Sequence, residues 1–169
     1  MSFAQRQPRP LSRDSASLRD DRLFIVACDD TYAPKQYFDF FRITRVQIHV
    51  VETRDGSSSA RHVLDRLLNV EREEDDELWM LLDTDHYTKG PHLAGFLEAL
   101  GEAKRRGVNI ALSKPCFELW LALHHVEETT LGTVQTAKDV EGLLRRQLGE
   151  YNKANLKREH YPAARVGDA

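Results

Sequence analysis

Cysteine is scarce. The 169 residues hold two, Cys28 and Cys116, too few for a disulfide framework and in keeping with a reducing cytoplasm. Long apolar runs are missing: none approaches the roughly 18 residues of a membrane span, and the amino terminus has no apolar signal core. This excludes a helical membrane anchor in the given sequence and points to cytoplasmic localisation. Net charge is −3, so no global basic signature of nucleic-acid binding exists, although local basic patches stay open. No G-x-x-x-x-G-K-[ST] or G-x-G-x-x-G phosphate loop occurs. Neither H-E-x-x-H nor C-x-x-C occurs, which argues against a dedicated zinc site.

What remains is an ordinary globular composition, 41% hydrophobic and 30% charged, long enough for one domain with a real core. Residues 1–21 form a separate segment: Arg6, Arg9, Arg13 and Arg19 with two prolines, several serines and few apolar residues. We read it as a flexible arm, whose arginines could alternatively touch phosphate. Residues 22–169 read as one α/β domain.

Leu23–Cys28 is a compact β-type run, and residues 46–51 and 78–82 are further strands. An apolar run from Val108 to Leu112 is a fourth. Between them the apolar spacing predicts helices: 34–42 with Tyr37, Phe38 and Phe41 on one side; one capped by Ser57–Ser59 with Val63, Leu64, Leu67 and Leu68 inward; and 91–106 with Leu93, Phe96, Leu97 and Leu100 inward, ended by Gly107. The acidic run 71–77 is a connector. A nearly all-apolar helix follows Pro115, a residue suited to a first helical turn. A last helix runs from Thr133 to about Tyr151, then a basic, irregular segment. Alternating strands and helices predict an α/β sandwich with a mostly parallel central sheet flanked by helices.

Acidic residues gather where such sheets bind ligands, at the carboxyl ends of strands. Asp29-Asp30 follows the first strand; Asp83 and Asp85 follow the third. Residues two apart in a strand point the same way, so Asp83 and Asp85 can share a target if the extended geometry persists. Converging carboxylates repel one another unless they take up protons or a hard cation such as Mg2+ or Mn2+. The plainer alternative makes them turn residues and helix caps. Glu118 is a single charge in a greasy helix and needs a partner, with Lys114 a candidate. Lys153, Lys157 and Arg158 could grip nucleic-acid phosphate or form a solvated face. Tyr37, Phe38, Phe40 and Phe41, near Arg42 and Arg45, could stack on bases but suit core packing better. Adjacent His124 and His125 point to different faces and read as helix-end residues. Cys116, near a helix start but with no base supplied to it, reads as core.

The stretch Ser113-Lys114-Pro115-Cys116-Phe117-Glu118-Leu119-Trp120-Leu121-Ala122-Leu123-His124 resembles the RloB-like family, whose pattern there is roughly S-N-P-x-F-E-L-W-L-L-L-H. Ile25-Val26-Ala27-Cys28, Tyr37-Phe38, and Leu78-Trp79-Met80 leading into Asp83 and Asp85 match as well, so the resemblance spans about residues 19–160. It implies a Toprim-like fold and a metal-dependent nuclease core used in bacterial abortive infection, with Asp29, Asp83 and Asp85 catalytic and holding the metal; Asp30, which stands where the family has Gly, joins them as a metal ligand in our own reading. It also implies a partner ATPase and a longer carboxyl terminus than this chain carries. Glu118 and Lys114 would support the metal site from behind. A homo-oligomer is compatible with the composition. The chain departs from the family where C-E-G-x-x-T-E-P-x-Y-F becomes Cys28-Asp29-Asp30-Thr31-Tyr32-Ala33-Pro34-Lys35-Gln36-Tyr37-Phe38: the first Glu is Asp29, the Gly is Asp30, and Pro34 stands at the second Glu. These departures leave open an inactive nucleic-acid- or protein-binding module. A receiver-type phospho-acceptor domain shares Asp29-Asp30, Asp83 and Lys114-Pro115, but the 28 residues between Asp85 and Lys114 hold too few elements for it.

Overall fold

The computed structural model describes residues 23–41, 47–51, 58–87 and 91–166. The arginine-rich arm, Ser57, Arg42 and Arg45 lie outside the described residues. The elements alternate as β1 (Leu23–Cys28), α1 (Ala33–Phe40), β2 (Gln47–Val51), α2 (Ala60–Leu68), β3 (Glu77–Asp83), α3 (His92–Arg105), β4 (Asn109–Ser113), α4 (Glu118–Leu123) and α5 (Ala137–Leu148), with short 3-10 turns around Glu128–Thr133 and beyond α5.

Four strands form one sheet in the order β2-β1-β3-β4, and every neighbour pair is parallel. The expected α/β sandwich is therefore realised with a fully parallel sheet. The chain steps from β1 to β2 on one side and then to β3 on the other. The order reverses between β1 and β3, and a crevice opens at their carboxyl ends. Between Asp85 and Lys114 the described residues form one helix and one strand, too little for a receiver domain.

Strand alternation divides the core. Leu23, Ile25, Ala27, Leu78, Met80 and Leu82 pack with Val63, Leu64 and Leu67 of α2 and Phe96, Ala99 and Ala103 of α3. The other face meets α1, α4 and α5 through Tyr37, Phe117, Leu121, Val140 and Leu144. Along its length Phe24, Val26, Phe38, Ile48, Trp79, Leu81 and Ala111 line an apolar groove of about 340 Å³.

Three expectations need correction. Leu93 and Leu97 are 42% and 57% exposed rather than inward. The packing stripe of α3 is Phe96, Ala99, Leu100 and Ala103; Leu97 lies about 100° round from Phe96, and Leu93 sits in the first turn. The last helix is shorter than predicted. Thr136 opens it with a reciprocal cap, its hydroxyl accepting from the Asp139 amide while the Asp139 carboxylate accepts from the Thr136 amide. Gly149, at φ 77°, closes it in a conformation that glycine adopts without strain. Finally, Pro115 does not open α4, which starts at Glu118. The Pro115 carbonyl is already taken by the amides of Thr84 (3.0 Å) and Asp85 (3.1 Å) and cannot join a helical ladder.

Candidate functional site

The Pro115 contacts explain the motif around it. A strand-to-helix turn with a cis Lys114-Pro115 peptide clamps the Asp83-Thr84-Asp85 loop through two backbone hydrogen bonds, and a third joins Thr84 N to the Ser113 carbonyl at 3.0 Å. The extended geometry of β3 ends at Asp83, so Asp83 and Asp85 are not related by simple strand alternation. They nevertheless border one cavity.

That cavity, about 280 Å³, is lined by Asp29, Asp30, Asp83, Asp85 and Glu118, together with Tyr87, Glu141 and Lys153. β1 delivers Asp29 and Asp30, β3 delivers Asp83 and the clamped loop, and the start of α4 delivers Glu118. Asp29, Asp83 and Glu118 are buried at 8%, 7% and 4% exposure. Both oxygens of Asp29 accept backbone amides: Oδ1 from Asp30 at 3.0 Å and Oδ2 from Asp83 at 2.9 Å. Asp29 thus ties the ends of the two central strands together. Asp30 Oδ1 accepts from the amides of Tyr32 (2.6 Å) and Ala33 (3.2 Å) at the start of α1, and its Oδ2 meets Lys153 Nζ at 3.1 Å. Asp30 therefore braces the turn that leads into α1 while facing the cavity. Asp85 Oδ1 is buried and accepts no hydrogen bond among the described residues; His86 Nε2 lies 3.5 Å away.

The electrostatics follow from crowding. Burial, then repulsion from Asp29, Glu118, Asp30 and Asp85, pushes the Asp83 carboxyl up to about 9. Burial also raises Asp29, to about 6, although the amides it accepts pull the other way. Cys116 is raised by burial and by the neighbouring Glu118 and Asp83. It is a core thiol, as expected, rather than an activated one. Among the described residues, one lysine, Lys153, faces this set of acids.

Glu118 finds a different partner from the one expected. Its Oε1 accepts from the Tyr151 hydroxyl at 3.2 Å, while Lys114 is exposed and does not line the cavity. Lys153 reaches the site; Lys157 does not, and pairs with Glu150 in an exposed contact. Arg158 is exposed in a 3-10 turn away from the lining. Tyr151 and Glu141 were not anticipated. Tyr151 lies 33 residues from Glu118, and no local pattern announces such a pair. Tyr37 is 2% exposed and central to an aromatic cluster with Phe38, Phe41, Phe117, Trp120 and Tyr161. Core packing, not base stacking, occupies it. His124 is buried at the end of α4 with Nε2 2.9 Å from the Tyr37 hydroxyl.

A hard cation can be tested against these donors. Among the described residues no three Asp, Glu, His or Cys side chains already stand close enough together to hold a metal ion. In kind, the donors fit: all are oxygens, Asp85 Oδ1 lacks a hydrogen bond, and Asp83 is surrounded by negative charge. Asp83, Asp85 and Glu118 have the fewest competing hydrogen bonds and would hold such an ion, with Asp29 fixed beside them.

Among known proteins, a family model described as RloB-like protein matches residues 24–167. No curated protein matches, and no solved structure does.

Proposed function

The chain belongs to the RloB-like family, and from that premise we propose that it is a divalent-cation-dependent nuclease with a Toprim-like core, hydrolysing phosphodiester bonds. The observation that carries this reading is the gathering of Asp29, Asp30, Asp83, Asp85 and Glu118 around one cavity at the sheet's switch point. Bound Mg2+ or Mn2+ would polarise a phosphodiester and acidify a coordinated water. The protein's own part is distinct. Asp83, Asp85 and Glu118 would supply oxygens for the ion, Asp83 giving up its proton in exchange for it. The Pro115 clamp fixes the Asp83–Asp85 loop, and Tyr151 orients Glu118. Asp29, raised to about 6 by burial, is suited to exchange a proton near neutral pH. A role in anti-phage defence beside a partner ATPase rests on the family resemblance alone, and a cytoplasmic setting on the scarcity of cysteine and of long apolar runs; no described helix is long and apolar enough to cross a membrane.

A second reading has its own support. Pro34 is buried in α1 at the position of the family's second Glu, and the acids do not yet converge as ligands. An inactive nucleic-acid- or protein-binding module would have this appearance. Incubating DNA and RNA with the protein and Mg2+ or Mn2+ separates the readings. Cleavage by wild type, reduced about a thousandfold in Asp83→Asn and Asp85→Asn, is the expected result. Binding without cleavage by any form would establish the inactive module instead.

A further inference from the structure

The carboxylates lining the cavity outweigh the charge of one divalent ion, so a cationic side chain beside the ion would help to hold the phosphodiester anion there. Among the described residues that line the cavity, Lys153 is the one lysine or arginine. Its ammonium lies 3.1 Å from Asp30 Oδ2, and the pair is asymmetric: the Lys153 side chain is 48% exposed, that of Asp30 7%. The lysine thus stands at the mouth, between buried acid and solvent.

Its backbone is fastened. Gln36 of α1 donates from Nε2 to the Lys153 carbonyl at 2.9 Å and accepts the Leu156 amide at 2.9 Å through Oε1. Leu156 and Tyr161 anchor the following segment in the core at 8% and 2% exposure. The main chain is held while a flexible four-carbon stem carries the charge. Asp30, for its part, does not depend on Lys153 alone. Its Oδ1 receives two amides at the start of α1, where a carboxylate is favoured in any case. Breaking the Lys153–Asp30 contact therefore leaves Asp30 held through Oδ1 and Lys153 free to reach solvent, with Asp30 Oδ2 alone giving up a hydrogen bond.

We propose that Lys153 is the substrate-anchoring residue of this site: it rests on Asp30 when the cavity is empty and moves to a backbone phosphate oxygen when a nucleic-acid strand binds. The inference rests on the phosphodiester reading above. It separates Lys153 from Lys157 and Arg158, which lie in the same basic segment but outside the cavity.

The test is fluorescence anisotropy with single-stranded DNA and RNA oligonucleotides of matched sequence, with Ca2+ in place of Mg2+ to hold off turnover. Lys153→Met should weaken binding about tenfold and lower the salt slope by about one contact. Lys153→Arg should keep most of the affinity. Lys104→Met, which removes an equal charge from the exposed end of α3, should stay within about twofold of wild type. A loss confined to DNA or to RNA identifies the strand recognised. Unchanged melting of Lys153→Met, read by circular dichroism, checks that its fold is intact. Affinity within twofold of wild type in Lys153→Met, an equal loss in Lys104→Met, or no oligonucleotide binding by wild type overturns the proposal. Mn2+ binding followed by electron paramagnetic resonance keeps the two readings apart. Wild type that takes no Mn2+ sinks the metal site, whereas Mn2+ binding with unchanged oligonucleotide affinity in Lys153→Met sinks only the role of Lys153.

Discussion

The sheet's two faces are built from different materials. Toward α2 and α3 the packing is mainly aliphatic: Ile25, Val63, Leu64, Leu67, Met80 and Leu82 are fully buried there. Toward α1, α4 and α5 it is aromatic and threaded with polar groups. The Tyr37–His124 and Tyr151–Glu118 hydrogen bonds lie on that side, and the acidic cavity opens at its edge. The four described buried polar side chains, Asp29, Asp83, Glu118 and His124, all belong to that side or to the carboxyl ends of the strands. An aliphatic layer needs only volume and shape, whereas a layer holding charge needs a partner for every buried polar atom. One face therefore stabilises the sheet, and the other spends stability on placing carboxylates.

That contrast can be broken at several points. The largest stability effect is expected in the aliphatic face. Met80→Ala should cost about 2–5 kcal/mol in urea unfolding, because the site cannot collapse to fill the space. Whatever activity the folded fraction has should be unchanged, and a matching loss per folded molecule would show the faces to be coupled.

Next in size is a pH effect from the other face. Asp29 and Asp83 rise from 3.8 to about 6 and about 9 in the folded chain, so the native state binds their protons more tightly than the unfolded state does. Their contribution is complete below about pH 4 and is lost as pH climbs through these values. In chelator-treated protein the melting temperature should fall by several degrees between pH 5 and pH 8. Asp83→Asn should flatten the decline; a slope unchanged by that substitution would place its cause elsewhere.

The smallest effect is a single hydrogen bond. Tyr37→Phe removes the 2.9 Å contact to His124 and should cost about 1 kcal/mol by chemical denaturation. A cost near zero would mean that the aromatic packing, not the polar thread, holds this face.

Much of the first face was legible because its signal is periodic. Val63, Leu64 and Leu67 fall at helical spacing, and Leu23–Cys28 and residues 78–82 are compact apolar runs whose exits carry acids. Ser59 sits where an N-cap was expected, its hydroxyl accepting the His62 amide. The misplacement of Leu93 and Leu97 has a simple source: periodicity identifies an apolar stripe but not which part of it the sheet reaches. On the second face the acids were found by their position after strands. The partners were not, because Tyr151 with Glu118 and Lys153 with Asp30 are separated by 33 and 123 residues.

The order of elements, the acids at strand exits and the family motif were written in the chain itself, since each depends on neighbours a few residues away. Which carboxylate braces the entry to a helix, which keeps an oxygen without a hydrogen bond, and which lysine faces the cavity were decided only on folding. Those outcomes depend on side chains from distant segments meeting in a space too small and too dry for all their charges to be solvated, and no local pattern encodes that meeting.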